Sequence, residues 1–326
     1  MTTTAPSPLA AGLRAAGFVG RIVDPADPGY DRARAGWNGA VDRRPAAVAY
    51  AGDADDVAAA IRAARGAGMP FTVRAGGHSV AGRSVRDGAL CIDVRGLNGV
   101  EVDPERATVR AGGGTLLSEL DAATQAHGLA GPAGQISHTG VRRLTLGGGL
   151  GWLIRHHGLT VDSLRSAEVV LADGRIVRAG ADDHADLFWA LRGGGGDFGV
   201  VTQFEFAAHR IGPIVLAGML AYPWDRAAEA FGAARALMEG APDALTTYAV
   251  LITAPPGPAF PPELQGQRLA VVTVAWTGDI AEGEDVLAPL RRDHPPALDL
   301  VGPMPYVALQ SMLDATAPPG GRYYDR

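Results

Sequence analysis

The sequence predicts an α+β fold, and three observations carry that prediction. Short β-prone runs recur between residues 71 and 206, helical patterns interrupt them irregularly, and Asp173-Gly174 joins two of the runs as a direct hairpin signal. Elements mixed in this way give hairpins with helices between them, not a regular alternation of parallel strands and helices. Composition then shifts at Arg210-Ile-Gly-Pro213, which divides the chain into residues 1–210 and residues 211–326.

Taken in order, Asp53-Ala-Asp-Asp-Val57 opens a helix with acidic residues in its first turn, where the positive end of the helix dipole favours them. Val57, Ile61 and Ala64 give that helix an apolar face, and residues 66–70 stop it. The strand Phe71-Thr-Val73 follows and ends in Arg74-Ala-Gly-Gly-His-Ser79. Residues 89–94 and 107–110 are short and β-prone. A helix from about residue 115 to 127 then presents Leu116, Leu117, Leu120 and Ala123 for packing and is terminated by Gly128. Residues 166–172 and 175–179 flank the hairpin turn, a helix spans about residues 184–191, and residues 200–206 resume strand alternation after Gly193 to Gly196.

Beyond the composition shift, a strand (214–222), an alanine-rich helix (about 225–238), strands near 246–253 and 269–276 and a helix near 282–292 fit an antiparallel sheet with helices on one face. Residues 255–262 form a proline-rich loop. The chain stops at Arg326, before the strands that would close such a sheet, so this part is expected to be incomplete, with Tyr323 and Tyr324 as sheet residues at its end.

Composition removes several function classes. The chain has 326 residues, 47% of them hydrophobic and 20% charged, enough for a substantial core and two domains. Net charge is −6 and no dense basic run occurs, so nothing here marks a nucleic-acid or anionic-membrane partner. There is no lysine, so a phosphate loop ending in lysine, a Schiff-base lysine and a lysine general base are excluded. Cys91 is the only cysteine, which rules out an internal disulfide and a cysteine-based zinc site; its run Ala-Leu-Cys-Ile-Asp-Val reads as a buried strand. Residues 1–8 are polar and contain proline, and Arg14 interrupts the next stretch, so no signal peptide or membrane span is expected and the cytoplasm is the expected location.

Four glycine clusters stand out: Gly76-Gly77, then residues 112–114, 147–151 and 193–196. Gly194-x-Gly196-x-x-Gly199 has the form of a dinucleotide fingerprint, but it follows a helix and precedes a strand, the reverse of the Rossmann order. Gly77-His-Ser-Val-Ala81 approaches a nucleophile elbow, yet Ala81 takes the place of the final glycine and no helical pattern follows. His156 and His157 are adjacent and point about 100° apart on a helix, so no metal site is expected. Two glycines after a strand let backbone N–H groups converge on one anion, with His78 projecting above it. Brought against the glycine-rich stretch 140–151, that turn would enclose a long anionic cofactor, its diphosphate on backbone donors and a flat ring beyond.

Arg74-Ala-Gly-Gly-His-Ser79, the stretch from Ser137 to Leu153 (SHTGVRRLTLGGGLGWL), His157-Gly-Leu-Thr-Val-Asp162 and the stretch from Asp186 to Thr202 (DLFWALRGGGGDFGVVT) together resemble the FAD-linked oxidases of the berberine bridge enzyme type. These belong to the vanillyl-alcohol oxidase superfamily, whose flavin domain is of the PCMH type; the resemblance is strong over about residues 40–210 and weaker beyond. It implies an FAD-binding domain of two α/β subdomains followed by an incomplete antiparallel-sheet substrate domain. It implies FAD linked through the ring of His78 to the flavin 8-methyl carbon. Arg74, Ala75, Gly76, Gly77 and Ser79 would wrap the diphosphate. Thr139, Gly140, Gly148 and Gly149, with Gly147 and Gly151 of the same stretch, would line the diphosphate and ring. His138 would face the ring, and Val200 and Val201 would hold the distal part.

Some relatives attach the flavin a second time through a cysteine, whose slot here is Ile136, so a single link is expected. The implied reaction takes a hydride from a C–H next to oxygen or nitrogen of an alcohol, sugar or amine-bearing secondary metabolite onto flavin N5, with O2 reoxidation to hydrogen peroxide. The family's base is a tyrosine or carboxylate of the C-terminal part, so no catalytic residue is assigned. A flavin-binding fragment without activity, and a dehydrogenase using another acceptor, stay open as alternatives.

Overall fold

The computed structural model describes residues 7–324, so the polar opening at residues 1–6 lies outside the described residues. The first sheet has strand order Arg21–Val23, Ala47–Tyr50, Leu90–Asp93, Phe71–Arg74, and its last three strands run parallel. The expected helix is Ala54–Gly66, and the Asp53 carboxylate caps it by accepting the Asp56 N–H at 2.7 Å. Val57, Ile61 and Ala64 are buried against the sheet as the apolar spacing requires. Arg21–Val23 and Ala47–Tyr50 were not anticipated; three or four residues are too short for a period to register.

The second sheet is antiparallel throughout, in the order Val100–Asp103, Thr108–Gly112, Val200–Ala207, Leu164–Val170, Ile176–Gly180. Asp173-Gly174 forms the expected hairpin, with Gly174 at φ 84°. Leu117 and Leu120 of helix Leu117–Gln125 and Val141 and Leu146 of helix Val141–Leu146 join Val109, Val169 and Phe204 in one core. Val170 and Val200, at the end of this sheet, pack instead with Ile61 and Leu90 of the first layer. The two sheets therefore meet there.

The third sheet has the order Leu245–Thr253, Arg268–Trp276, Ile214–Pro223, and both Leu298–Asp299 and Gly302–Pro305 pair with the free edge of Ile214–Pro223. Strand periodicity sorts its faces. Leu216, Leu220 and Tyr222 pack under helices Ala227–Gly240 and Ile280–Asp293, while Val215 and Ala217 pack with Trp152, Tyr306 and Leu309. Gly302–Pro305 was missed because two of its four residues are proline, which only an edge strand tolerates.

Tyr323 and Tyr324 are not sheet residues as expected; they lie in irregular chain that returns to the first layer. There Gly320 N–H donates to Trp37 C=O, Gly39 N–H donates to Gly321 C=O, and Asn38 exchanges two hydrogen bonds with the Tyr323 backbone. His156 and His157 also differ from expectation: at the end of the short helix Ile154–His157 their rings stack 4.1 Å apart, and His209 stacks on His157 at 3.7 Å. Cys91 is fully buried in Leu90–Asp93, and burial pushes its thiol pKa up to about 11. Among the described residues no helix is long and apolar enough to cross a membrane.

Candidate functional site

The site starts where Phe71–Arg74 runs out at the carboxyl edge of the parallel strands, the edge at which open sheets bind ligands. Arg74 sits opposite Asp93 in the register, and its Nε and Nη2 donate to Asp93 Oδ2 at 2.8 and 2.6 Å. Nη1 donates to Ala35 C=O at 3.2 Å. Both side chains are buried, so Arg74 fastens two strand ends together just before the glycine turn and does not reach the space beyond it.

Gly77 follows at φ 74°, a conformation that costs glycine little. Gly76 meets Gly140 backbone to backbone: a Cβ on Gly76 would lie 2.5 Å from Gly140 N, and a Cβ on Gly140 would lie 2.7 Å from Gly76 N. Only two glycines permit that approach. The N–H groups of Gly76, Gly77, His78 and Gly140 donate to no acceptor among the described residues.

His78 is half-buried, its Nε2 shares a 2.5 Å hydrogen bond with His138 Nδ1, and its ring stacks on Trp37 with centroids 4.3 Å apart. Tyr323 stacks on the other face of Trp37 at 3.9 Å. Burial first, and the neighbouring His138 second, lower the His78 pKa to about 4, with Asp314 opposing them. Asp314 is held by the Ser137 N–H at 2.7 Å and the Ser137 hydroxyl at 2.5 Å.

A cavity of about 580 Å³ lies between the first two sheets, within the size range of small-molecule sites. Of the expected residues, Ala75, Gly76, Gly77, His78, Ser79, Gly140, Gly147 and Val200 line it. The others do not. Arg74 is turned into its ion pair, His138 stands behind His78, and the Thr139 carbonyl is occupied by the Leu117 N–H. Gly148 makes a turn at φ 104°, Gly149 closes on Thr160, and Gly151 closes on the Ala133 carbonyl. Val201, one residue along the strand from Val200, faces the second core instead.

Sequence reasoning missed Arg83, Arg142, Arg143 and the loop of residues 194–199, all of which line the cavity. The loop's glycine spacing was the available signal, set aside because a helix precedes it; that helix, Ala185–Leu191, is where it was expected. The donor set fits a cofactor carrying a diphosphate: free backbone N–H groups, a glycine contact that any side chain would fill, and a buried Arg142 whose Nε has no partner among the described residues.

Comparison with known proteins agrees with this geometry. A family described as "FAD binding domain" matches residues 45–180. The chain is 34% identical over 203 residues to (R)-6-hydroxynicotine oxidase of Paenarthrobacter nicotinovorans, a match covering 62% of this chain and 44% of that protein. The crystal structure of 6-hydroxy-D-nicotine oxidase from Arthrobacter nicotinovorans superposes with a TM-score of 0.84 at 27% identity, over 99% of this chain and 67% of that one. Glucooligosaccharide oxidase of Acremonium strictum, described with a 6-S-cysteinyl, 8α-N1-histidyl FAD, superposes with a TM-score of 0.81 at 26% identity, over 98% of this chain and 65% of that one. The chain spans 38% to 61% of the length of three curated oxidoreductase relatives. Residues 45–180 thus match an FAD binding domain, the fold is that of the FAD-dependent oxidase structures on which the chain superposes, and over part of its length the chain is similar to FAD-linked oxidoreductases.

Proposed function

We propose that the chain holds FAD in the cavity between its first two sheets, linked once through His78, and serves an oxidase acting on a small molecule with a C–H next to oxygen or nitrogen. Residues 1–210 carry the cofactor, and the sheet beyond residue 211 carries the substrate side. When bound, FAD supplies a hydride acceptor at flavin N5 and returns its electrons to O2 as hydrogen peroxide.

The chain's own residues have defined tasks. The free N–H groups of Gly76, Gly77, His78 and Gly140 bind the diphosphate without a competing backbone acceptor. With a pKa near 4, the His78 imidazole is neutral at neutral pH and keeps a lone pair for attachment. His138 occupies Nε2, which leaves Nδ1, free of any hydrogen bond among the described residues, as the attaching nitrogen. Trp37 holds the ring plane by stacking. Ile136 stands where a second, cysteinyl link would need a thiol.

The observation that carries the reading is the Gly76–Gly140 contact beside His78, two glycine turns meeting at the mouth of one cavity. Oxygen uptake with equimolar hydrogen peroxide release, measured across alcohols, oligosaccharides and cyclic amines, tests the activity. Flavin that a substrate reduces but air reoxidises only slowly would replace the oxidase by a dehydrogenase. Bound flavin that no substrate in the panel reduces would count against catalysis by this chain.

A further inference from the structure

We propose that Arg142 is a charged anchor for the cofactor's diphosphate, gripping it from the helix Val141–Leu146 while the glycine turns hold it through backbone N–H groups. The inference rests on the flavin reading and adds a side chain to it. Arg142 lies in the first turn of Val141–Leu146 and lines the cavity, with only 8% of its surface exposed. Its Nη2 would be 3.4 Å from a Cβ on Gly196, so the guanidinium lies against the 194–199 loop that forms the facing wall.

What singles Arg142 out is the absence of a counter-charge. Among the described residues the other buried arginine, Arg74, is satisfied by Asp93 and a carbonyl, whereas no guanidinium nitrogen of Arg142 has a hydrogen-bond or carboxylate partner. A guanidinium taken out of water with nothing to meet it is costly, and sites of that kind are completed by an anion. Burial lowers its pKa to about 10, with Arg143 adding to the effect, which still leaves it charged at neutral pH. Arg83 and Arg143 line the same cavity without ion-pair partners among the described residues, and Asp197 is the single acidic side chain of the lining. The excess of positive charge fits a group with two negative phosphates, and a planar guanidinium offers paired N–H donors to phosphate oxygens.

The test uses the full chain carrying His78→Ala, so that flavin binds reversibly, and compares Arg142 with Arg142→Met and Arg142→Lys. Riboflavin has the ring without phosphate, FAD has both, and inorganic pyrophosphate is the anion alone. Arg142→Met is expected to raise the FAD dissociation constant about 10- to 100-fold, the range for a lost charged hydrogen bond. Arg142→Lys should recover part of that loss, riboflavin affinity should stay within about 2-fold, and pyrophosphate should lose most of its power to compete with FAD. Equal FAD affinity in all three proteins overturns the anchor. So does a loss of riboflavin and FAD binding in equal measure, which marks a structural arginine. If the Met variant does not fold, Arg142→Gln replaces it under the same criteria. Failure of the parent protein to bind either flavin refutes the flavin reading itself, a result distinct from an unchanged affinity.

Discussion

A methyl carbon added to Gly76 would sit 2.5 Å from the backbone nitrogen of Gly140, so the turn after strand Phe71–Arg74 and the loop before Val141–Leu146 touch through their main chains. Gly140 itself has φ −75° and ψ 132°, angles any residue adopts. Its glycine is therefore required by space, not by conformation.

Gly140→Ala should consequently lower stability by about 1–3 kcal/mol through overpacking. It should also lower flavin content, because prying the loops apart moves the N–H donors. Urea denaturation and the flavin-to-protein absorbance ratio measure the two effects. An unchanged midpoint and unchanged flavin content would mean that the loops do not meet.

Arg74 and Asp93 form a buried pair that no cofactor is needed to explain. Asp93→Ala leaves Arg74 buried and charged, and should cost about 3–5 kcal/mol in chemical denaturation. Arg95, half-exposed, also bonds to Asp93 and loses only a partner it can replace with water, so Arg95→Ala should cost under about 1 kcal/mol.

Stability should fall on mild acidification. His157 has a folded pKa near 4, below the value of about 6.5 for an unfolded histidine. The unfolded chain then binds more protons between those limits, so the contribution of His157 is complete above about pH 6.5 and is lost as pH drops towards 4. For His157 burial acts first, and repulsion from the charged forms of His209 and then His156 adds to it. His157→Gln should flatten the melting temperature's dependence on pH across that window. A profile as steep as before would show that His157 does not titrate there.

Trp37 is sandwiched between His78 and Tyr323 and donates its indole N–H to the Ala317 carbonyl at 2.9 Å. Trp37→Ala should therefore free residues 317–323 first. Hydrogen exchange in that segment should accelerate while strand Leu90–Asp93 stays protected. Equal acceleration in both would indicate global destabilisation instead.

Much of this was legible in the sequence because it rests on local rules. Asp53 capping its helix, Asp173-Gly174 turning a hairpin, and Gly76-Gly77 ending a strand each follow from a few adjacent residues. What the sequence did not disclose depends on partners far along the chain. Arg74 was read as a cofactor contact, yet Asp93 captures its side chain. Arg142 carries no local signal, and only its burial sets it against the cavity. The resemblance pairs Val200 with Val201, whereas strand alternation sends them to opposite sides. The stacked histidines 156, 157 and 209 join a helix end to a strand about fifty residues later, a contact no helical period encodes.

The most direct measurement is mass spectrometry of tryptic peptides from protein produced with ample riboflavin. The peptide containing His78 should be heavier by one FAD, fragmentation should place the addition on that histidine, and His78→Ala should abolish it. An unmodified His78 peptide from flavin-replete protein, or a flavin adduct on another residue, would contradict the account.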